Sequence, residues 1–549
     1  MRITARCSLR RWSRRGRRRA RPSSASATCA SCSRRGRSPS RCASRRGVKP
    51  SSSSAWPASS CPACRPPRNA ATCPDPRAVR SSRGSGRSHV MPQPSLKIDG
   101  ARYVITVDDQ RRIIRDGSVL IENGRISRVG RADELAAARA DRVIDARHFV
   151  VTPGFVNGHM HISYAHPVRG IFPDDLGSPL KQVFALQTAM TEDEEYHTTL
   201  LALLELVRNG TVCLLDPGST KFPDACLQAY EDAGVRVILG ECVTDREAPF
   251  TLPRYPTAEA VARTAAFIDK WNGRLEGRLR AWAMPFSPET CSAELLQALK
   301  RVADERRTGL TLHHGSGPQA RREHGGRGEK SPTEHLEKLG VLGPNVLLAH
   351  ALGVDEAEIA CIARTGAAVT MCPVTAAKGA RGATALGRMP ELLARGVRVA
   401  LGCDSPNNSN HLDPVRTMNM AAIQYKDARQ DIRLVPAETA LEMGTRLGAA
   451  ALGLGDEIGA VETGKQADLV LFDTRRPEWQ ALWNPVNNLI YNTDGRSVHT
   501  VIVDGRVIVD DYRQTFVDES RLFATVQEIG ERLQARTGIT FPRSRWPIL

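Results

Sequence analysis

The sequence predicts an α/β fold: a (β/α)8 barrel of the TIM type, with a small β-sandwich domain formed from both ends of the folded chain. Three observations predict it. Residues 151–457 alternate short β-branched apolar runs with amphipathic stretches, and the runs number eight. Alternating strands broken by Asn-Gly and Asp-Gly turns flank that section on both sides. Metal-ligand and acid/base residue types end several of the runs, which is where such barrels carry their chemistry. An open doubly wound sheet has a similar strand count, and the placing of the polar residues favours the barrel.

The 549 residues are long enough for two to four domains. Residues 1–90 hold 22 Arg and one Lys against a single acid, Asp75. The total charge of +18 less this +22 leaves −4 for residues 91–549, so the basic balance belongs to the first segment alone. That segment is rich in Arg, Ser, Pro, Ala and Cys and poor in Leu, Ile, Val and Phe, a composition expected to be disordered. A nucleic-acid-binding arm and a zinc module (Cys29-x-x-Cys32, Cys61-x-x-Cys64) are two readings of it. A start placed upstream of Met91, where folded-protein texture begins, is the third and the one composition favours. Nucleic acid is therefore not an expected partner.

From about 97 to 150 the runs YVITVD, SVLIENGRISRVG and RVIDARHFV read as strands; ADLVLFD and HTVIVDGRVIVDD repeat the texture near the C-terminus. Residues 91–150 and 458–513 are expected to pair into the small β domain, around a barrel over 151–457. Residues 514–549 form a helical tail, which is a candidate for the interface of a homo-oligomer. The barrel strands are VTPGFVNGH, GTVCLLD, VRVILGE, LRAWAMPF, GLTLHH, NVLLAH, AAVTMC and VRVALGCD. Helical stretches such as EYHTTLLALLELVRNG and PTAEAVARTAAFIDKW separate most of them. Seven scattered cysteines in the body read as small buried hydrophobes of a reducing compartment, and no run of 18 apolar residues predicts a membrane span. A cytoplasmic protein is expected.

The chemistry is sharpest in PGFVNGHMHI. His159 and His161 are two apart, so on a strand both face the same side, a pairing that suits a divalent ion. His313 or His314 ends the fifth run, His350 the sixth, and Asp404 the eighth. A single His after an apolar run is commonly a core residue; four such endings in one barrel point to a site. A bound divalent ion brings the pKa of water to roughly 7, an aspartate can take its proton, and a neighbouring His can polarise the developing oxyanion.

Residues 97 to about 513 resemble the amidohydrolase superfamily, in its branch of cytosine-deaminase-like and chlorotriazine-hydrolase-like enzymes. The motifs that carry the resemblance are VTPGFVNGHMHI, RGIFPDDL, LLELVRNGT, LLAHALGVDEAEI, LGCDSPNNSNHLD and ETGKQADLVLFD, in the family's order. The resemblance implies metal ligands His159, His161, His313 and Asp404, with His350 orienting water or polarising substrate. It implies one ion, because the fourth strand has no lysine to bridge a second; zinc is expected, and iron, manganese and cobalt suit the same donors.

Three positions depart from the branch. Ser316 stands where ring deaminases carry a proton-donating Glu, Phe286 replaces a polar His in Pro285-Phe286-Ser287-Pro288-Glu289-Thr290, and Thr375-Ala376 replaces Ser-Asn. A pocket that trades polar contacts for apolar ones predicts a small, rather apolar amide, urea or carbamate, cleaved at its carbonyl carbon. HMHISYAHPVRGIFPDDL is also similar to enzymes that hydrolyse phenylureas and thiocarbamates. The alternative is an aminohydrolase of a purine, pyrimidine or triazine ring, with Glu289 as the missing acid; a non-catalytic binding barrel is the third. His166 and His411 are candidate substrate contacts, Arg169 and Asp175 loop braces, and Glu205 and Asp216 structural acids.

Overall fold

The structure is a computed structural model that describes residues 93–163, 166–172, 180–218, 221–248, 251–326, 328–539 and 546. The expectations for residues 1–90 and for Asp175 lie outside them.

The two β-rich ends pair as expected. From the N-terminal side come β1 (Leu96–Ile105), β2 (Ile113–Glu122), β3 (Arg125–Arg131), β4 (Arg142–Asp145) and β5 (Phe149–Pro153). Ten parallel-sheet segments follow: β6 (Phe155–Asn157), β7 (Thr211–Asp216), β8 (Arg236–Leu239), β9 (Cys242–Val243), β10 (Leu279–Ala281), β11 (Met284–Pro285), β12 (Leu310–Gly315), β13 (Val346–Leu352), β14 (Ala368–Met371) and β15 (Val399–Leu401). The C-terminal side adds β16 (Leu469–Asp473), β17 (Val498–Val503), β18 (Arg506–Asp510) and β19 (Arg513–Gln514).

β16 runs antiparallel to β5, and this seam joins both ends into one nine-stranded sheet in the order β19-β18-β17-β16-β5-β1-β2-β3, with β4 beside β1. The hydrogen bonding is thus continuous, where separate stacked sheets were expected. Its core holds Ile98, Val119, Ile126, Val151, Leu469 and Ile502, drawn from both ends of the chain. Two hairpin turns, Asn123-Gly124 and Asp504-Gly505, have positive φ at both central residues, the type I′ signature that their sequences predict. They abut so closely that a Cβ on Gly505 would lie 2.8 Å from the Cα of Gly124. Glycine is needed there for space as well as for conformation.

Between the ends, every predicted barrel strand is found. They form parallel sheets ordered β10-β8-β7-β6 and β12-β13-β14-β15, with β9 and β11 pairing as short extensions of β8 and β10. Main-chain hydrogen bonds join the two sheets at both edges: Thr311 N to Ala283 O (3.0 Å) on one side, Gly158 N to Leu401 O (2.8 Å) and Asp404 N to His159 O (2.9 Å) on the other. Helices separate the strands and cover them with apolar faces. The helix Glu192–Arg208 opens on a Thr191/Glu194 capping box and buries Leu200, Leu203, Leu206 and Val207. Arg236 on β8 sends a fork of two hydrogen bonds to Asp468 (2.5 and 3.1 Å) and a third to Asp504 (3.1 Å), tying the parallel strands to the nine-stranded sheet through a buried pair.

The tail helix Glu519–Thr537 buries Leu522, Val526, Ile529 and Leu533 on its own chain, Ile529 and Leu533 in a cluster with Phe184, Leu186 and Met190. Phe523 on the same helix stays exposed. The seven cysteines in the described residues are free and buried. No helix among those residues is long and apolar enough to cross a membrane.

Candidate metal centre

Asn157 closes β6 and holds its turn: its Oδ1 accepts from Cys403 N (3.1 Å), beyond the end of β15, and from His159 N (3.4 Å). The chain from Gly158 to His161 is thereby laced to the loop that carries Asp404. Three predicted ligands meet here. His161 Nε2 and His313 Nε2 lie 3.1 Å apart with their rings stacked, and the His159 ring stands edge-on to both at 4.8 and 5.0 Å between centroids. Asp404 Oδ1 is 3.7 Å from His161 Nε2. His313, not His314, faces this cluster, as its register predicts. His314 turns to Thr333, whose hydroxyl is 3.0 Å from its Nε2.

The electrostatics favour neutral imidazoles. Burial pushes the pKa values of His159 and His161 well down, and the nearby imidazoles add to the effect. Burial likewise brings His313 to about 4, so the rings keep lone pairs at neutral pH. His313 Nδ1 donates to Phe286 O at 2.9 Å, which leaves Nε2 as the ligand atom. Both ring nitrogens of His159 are buried without a hydrogen-bond partner among the described residues. Such groups are costly unless something takes their lone pairs. Three convergent imidazoles and a carboxylate fit a divalent ion of the zinc class.

His350, at the end of β13, puts its ring 4.9 Å from His159 and 5.6 Å from His313, and burial holds its pKa near 4. His350 and Asp404 both have left-handed backbone, φ 73° and 58°, a strain that ordinary side chains adopt at functional positions. Leu352, Met371, Pro373 and Ala376 line the small cavity beside His350, giving it an apolar wall. The larger cleft of about 670 Å³, lined by Phe184, Lys221, Tyr255 and Trp271, is bordered by none of these residues.

The predicted substrate contacts divide. The Phe286 ring lies 4.3 Å from that of His313, against the cluster as expected. Ser316 is buried and its hydroxyl donates to Glu358 Oε1 at 2.5 Å. Thr333 (2.7 Å) shares that oxygen, while Arg321 and Asp355 N (2.9 Å) donate to the other. Four donors saturate Glu358, so this carboxylate braces the end of β12, and Ser316 belongs to the brace rather than to a substrate contact. Glu289 is half-buried, its Oε1 3.7 Å from His324 Nε2. Burial pushes its carboxyl up, but hydrogen bonding to His324 and Ser287 outweighs this and holds it below the usual range. His166 is buried 3.8 Å from Glu205, which also binds Arg169 (2.5 Å) and Leu412 N (3.0 Å); His411 receives Asp413 N at 3.4 Å. His411 thus braces its loop, as Arg169 and Glu205 do, while both ring nitrogens of His166 are buried with no hydrogen-bond partner among the described residues.

Sequence reasoning passed over Arg381, whose charge is felt at His313, His350 and Asp404. Only folding brings it there from the loop after β14. Asp216 is structural, as expected: it accepts from Tyr230 Oη (2.7 Å) and Gly218 N (3.1 Å), and burial pushes it up to about 7. A carboxyl whose pKa rises on folding stabilises the fold fully below its unfolded value of 3.8, and loses that contribution as pH climbs through about 7. Asp216→Asn removes this dependence. Calorimetric scans are expected to show the variant gaining stability over the natural protein from pH 4 to pH 8, by up to about 4 kcal/mol; parallel curves would refute it.

The Amidohydrolase family profile matches residues 150–508. The chain belongs to the amidohydrolase family. It is accordingly a hydrolase of carbon–nitrogen bonds other than peptide bonds. It is 34% identical over 443 residues to the 5-methylthioadenosine/S-adenosylhomocysteine deaminase of Syntrophobacter fumaroxidans, covering 79% of this chain and 96% of that one. It is 31% identical over 437 residues to the 5'-deoxyadenosine deaminase of Methanosarcina mazei, covering 79% and 97%. Among solved structures, an adenosine deaminase from Xanthomonas campestris with bound zinc superposes with a TM-score of 0.73 at 26% identity, covering 80% of this chain and 98% of that one.

Proposed function

We propose that this amidohydrolase is a single-zinc aminohydrolase that replaces the exocyclic amino group of an adenine-type ring with oxygen and releases ammonia. The observation that carries this reading is the near end-to-end match to deaminases of adenine nucleosides, joined to a donor set that suits one ion. This changes the emphasis drawn from the sequence alone, which put carbonyl substrates first. The hydrogen bonds at both edges of the parallel sheets support a closed (β/α)8 barrel, and the continuous nine-stranded sheet, folded over its own core, supports a sandwich-like domain beside it.

In this reading His159, His161, His313 and Asp404 hold the ion. When bound, it supplies the Lewis acidity that makes water a nucleophile at neutral pH. Asp404 takes a proton from the attacking water at its carboxylate and passes it to the departing nitrogen. His350, neutral at its strained position, orients that water. Glu289, ionised at rest, takes the other proton of the attacking water and delivers it to the ring nitrogen, replacing the acid absent at Ser316. Phe286 stacks against the ring.

The test is product analysis of the zinc-loaded protein offered 5'-deoxyadenosine, methylthioadenosine, aryl ureas and carbamates. Ammonia with loss of the aminopurine spectrum is expected, and Glu289→Gln is expected to lower that turnover by roughly 10²-fold. A second reading, hydrolysis at a carbonyl carbon, is favoured by one observation: the Ser316 hydroxyl is committed to Glu358, and no carboxylate follows His313 on β12. Substituted amine from the ureas or carbamates, with the purines untouched, would establish that reading and overturn the first.

A further inference from the structure

We propose a second divalent-cation site, built by His324, Glu329 and His335 in the segment between β12 and β13, where an ion would pin the segment rather than take part in catalysis. His324 lies near the end of the helix Pro318–Gly325, His335 lies in the helix Pro332–Lys338, and Glu329 lies in the link between them. A turn in which Glu329 N donates to His324 O (3.1 Å) folds the carboxylate back between the two rings. His324 Nδ1 is 2.8 Å from Glu329 Oε2, and His335 Nδ1 is 2.5 Å from Oε1. One ligand atom from each of the three lies within 4.8 Å of the others.

The rings are buried, with side-chain exposures of 0% for His324 and 9% for His335, while Glu329 keeps 15%. Two buried imidazoles converging on one carboxylate is a costly arrangement for hydrogen bonds alone. It requires a proton on each Nδ1 and sets both carboxylate oxygens of Glu329 between the rings. A cation taken up by the same three residues removes the demand for those two protons. Two imidazoles and a carboxylate are donors of the zinc type, and open a fourth position to water.

A second carboxylate completes the pattern. Glu289 Oε1 faces the other nitrogen of His324 at 3.7 Å, the carboxylate–imidazole–metal arrangement that orients a ligand ring and raises its basicity. By contrast His197, which meets Asp193 on a helix face, belongs to no such group among the described residues. The proposed ion would close a twelve-residue loop beside Thr333 and Glu358, the pair that braces the end of the strand bearing His313. The three ligand residues play no part in the proposed reaction; Glu289, which does, only faces His324 from outside the ligand set.

The deciding experiment is metal content of the full chain after equilibration with zinc and removal of free ion, by plasma mass spectrometry, repeated with cobalt for its visible spectrum. The natural protein is expected to hold two ions per chain, His159→Ala one, Glu329→Gln one, and the double variant none. Glu329→Gln keeps the shape and hydrogen-bonding reach of the side chain, so a folded protein is expected. Should it fail to fold, His159→Ala alone decides the matter. One ion per chain in the natural protein and none in His159→Ala would overturn the proposal and leave a hydrogen-bonded bracket.

Discussion

Replacing His159 by alanine is expected to empty the proposed catalytic centre and lower turnover by on the order of 10⁴-fold or more, about 5.5 kcal/mol of lost transition-state stabilisation. The ring of His159 is the hub of the cluster, edge-on to His161, His313 and His350. Without it two imidazoles and Asp404 remain, one donor short. The protein itself should still fold. In the metal-free state the variant loses a buried imidazole whose two nitrogens have no hydrogen-bond partner among the described residues, and that group was a cost. What disappears is the stabilisation that zinc confers on the catalytic centre, which is about 4 kcal/mol when free metal exceeds its dissociation constant a thousandfold. Turnover, metal content and melting with and without zinc, measured together, check this. A variant that keeps its full metal complement and its turnover would refute the ligand assignment.

The reason His159 was readable from sequence is local. Two histidines two residues apart in extended chain share a face; the strand itself ends at Asn157, and main-chain hydrogen bonds to both neighbouring strands carry the extended run on to Met160. His350 and Asp404 were readable for a similar reason, as polar endings of apolar runs. Their left-handed backbone was not, since neither position carries the glycine that usually announces it. Ser316 shows the limit most clearly. Its residue type and offset from His313 placed it at the site, but its partner Glu358 lies 42 residues away and comes to it only when the helix Glu356–Thr365 docks. Arg381 escaped notice likewise, and so did the convergence of His324 and His335 on Glu329 across a link with no metal-motif spacing. The two type I′ hairpins were legible as Asn-Gly and Asp-Gly; that β16 would bond to β5 and merge both ends into one sheet was not, because register across 300 residues is set by packing.

Asp404→Asn is expected to separate holding the ion from moving the proton. Asparagine preserves volume, tolerates the positive φ that Asp404 adopts, and can accept the 2.7 Å hydrogen bond from Ser405 N through its carbonyl oxygen. The loop after β15 should therefore keep its shape. What asparagine lacks is the negative charge toward His161 and His313 and the capacity to take a proton. In Asp404 burial pushes the carboxyl up, against the lowering from His313 and Ser405, so this carboxylate holds a proton more readily than an exposed one. If it is the general base, kcat at saturating zinc should fall by roughly 10²–10⁴-fold with KM changed little, because the group acts in the transition state rather than in binding. If it is only a ligand, excess zinc should restore kcat toward the natural value while the dissociation constant for zinc alone rises. Titrating turnover against zinc distinguishes the two, and full recovery would remove Asp404 from the proton path while leaving it at the metal.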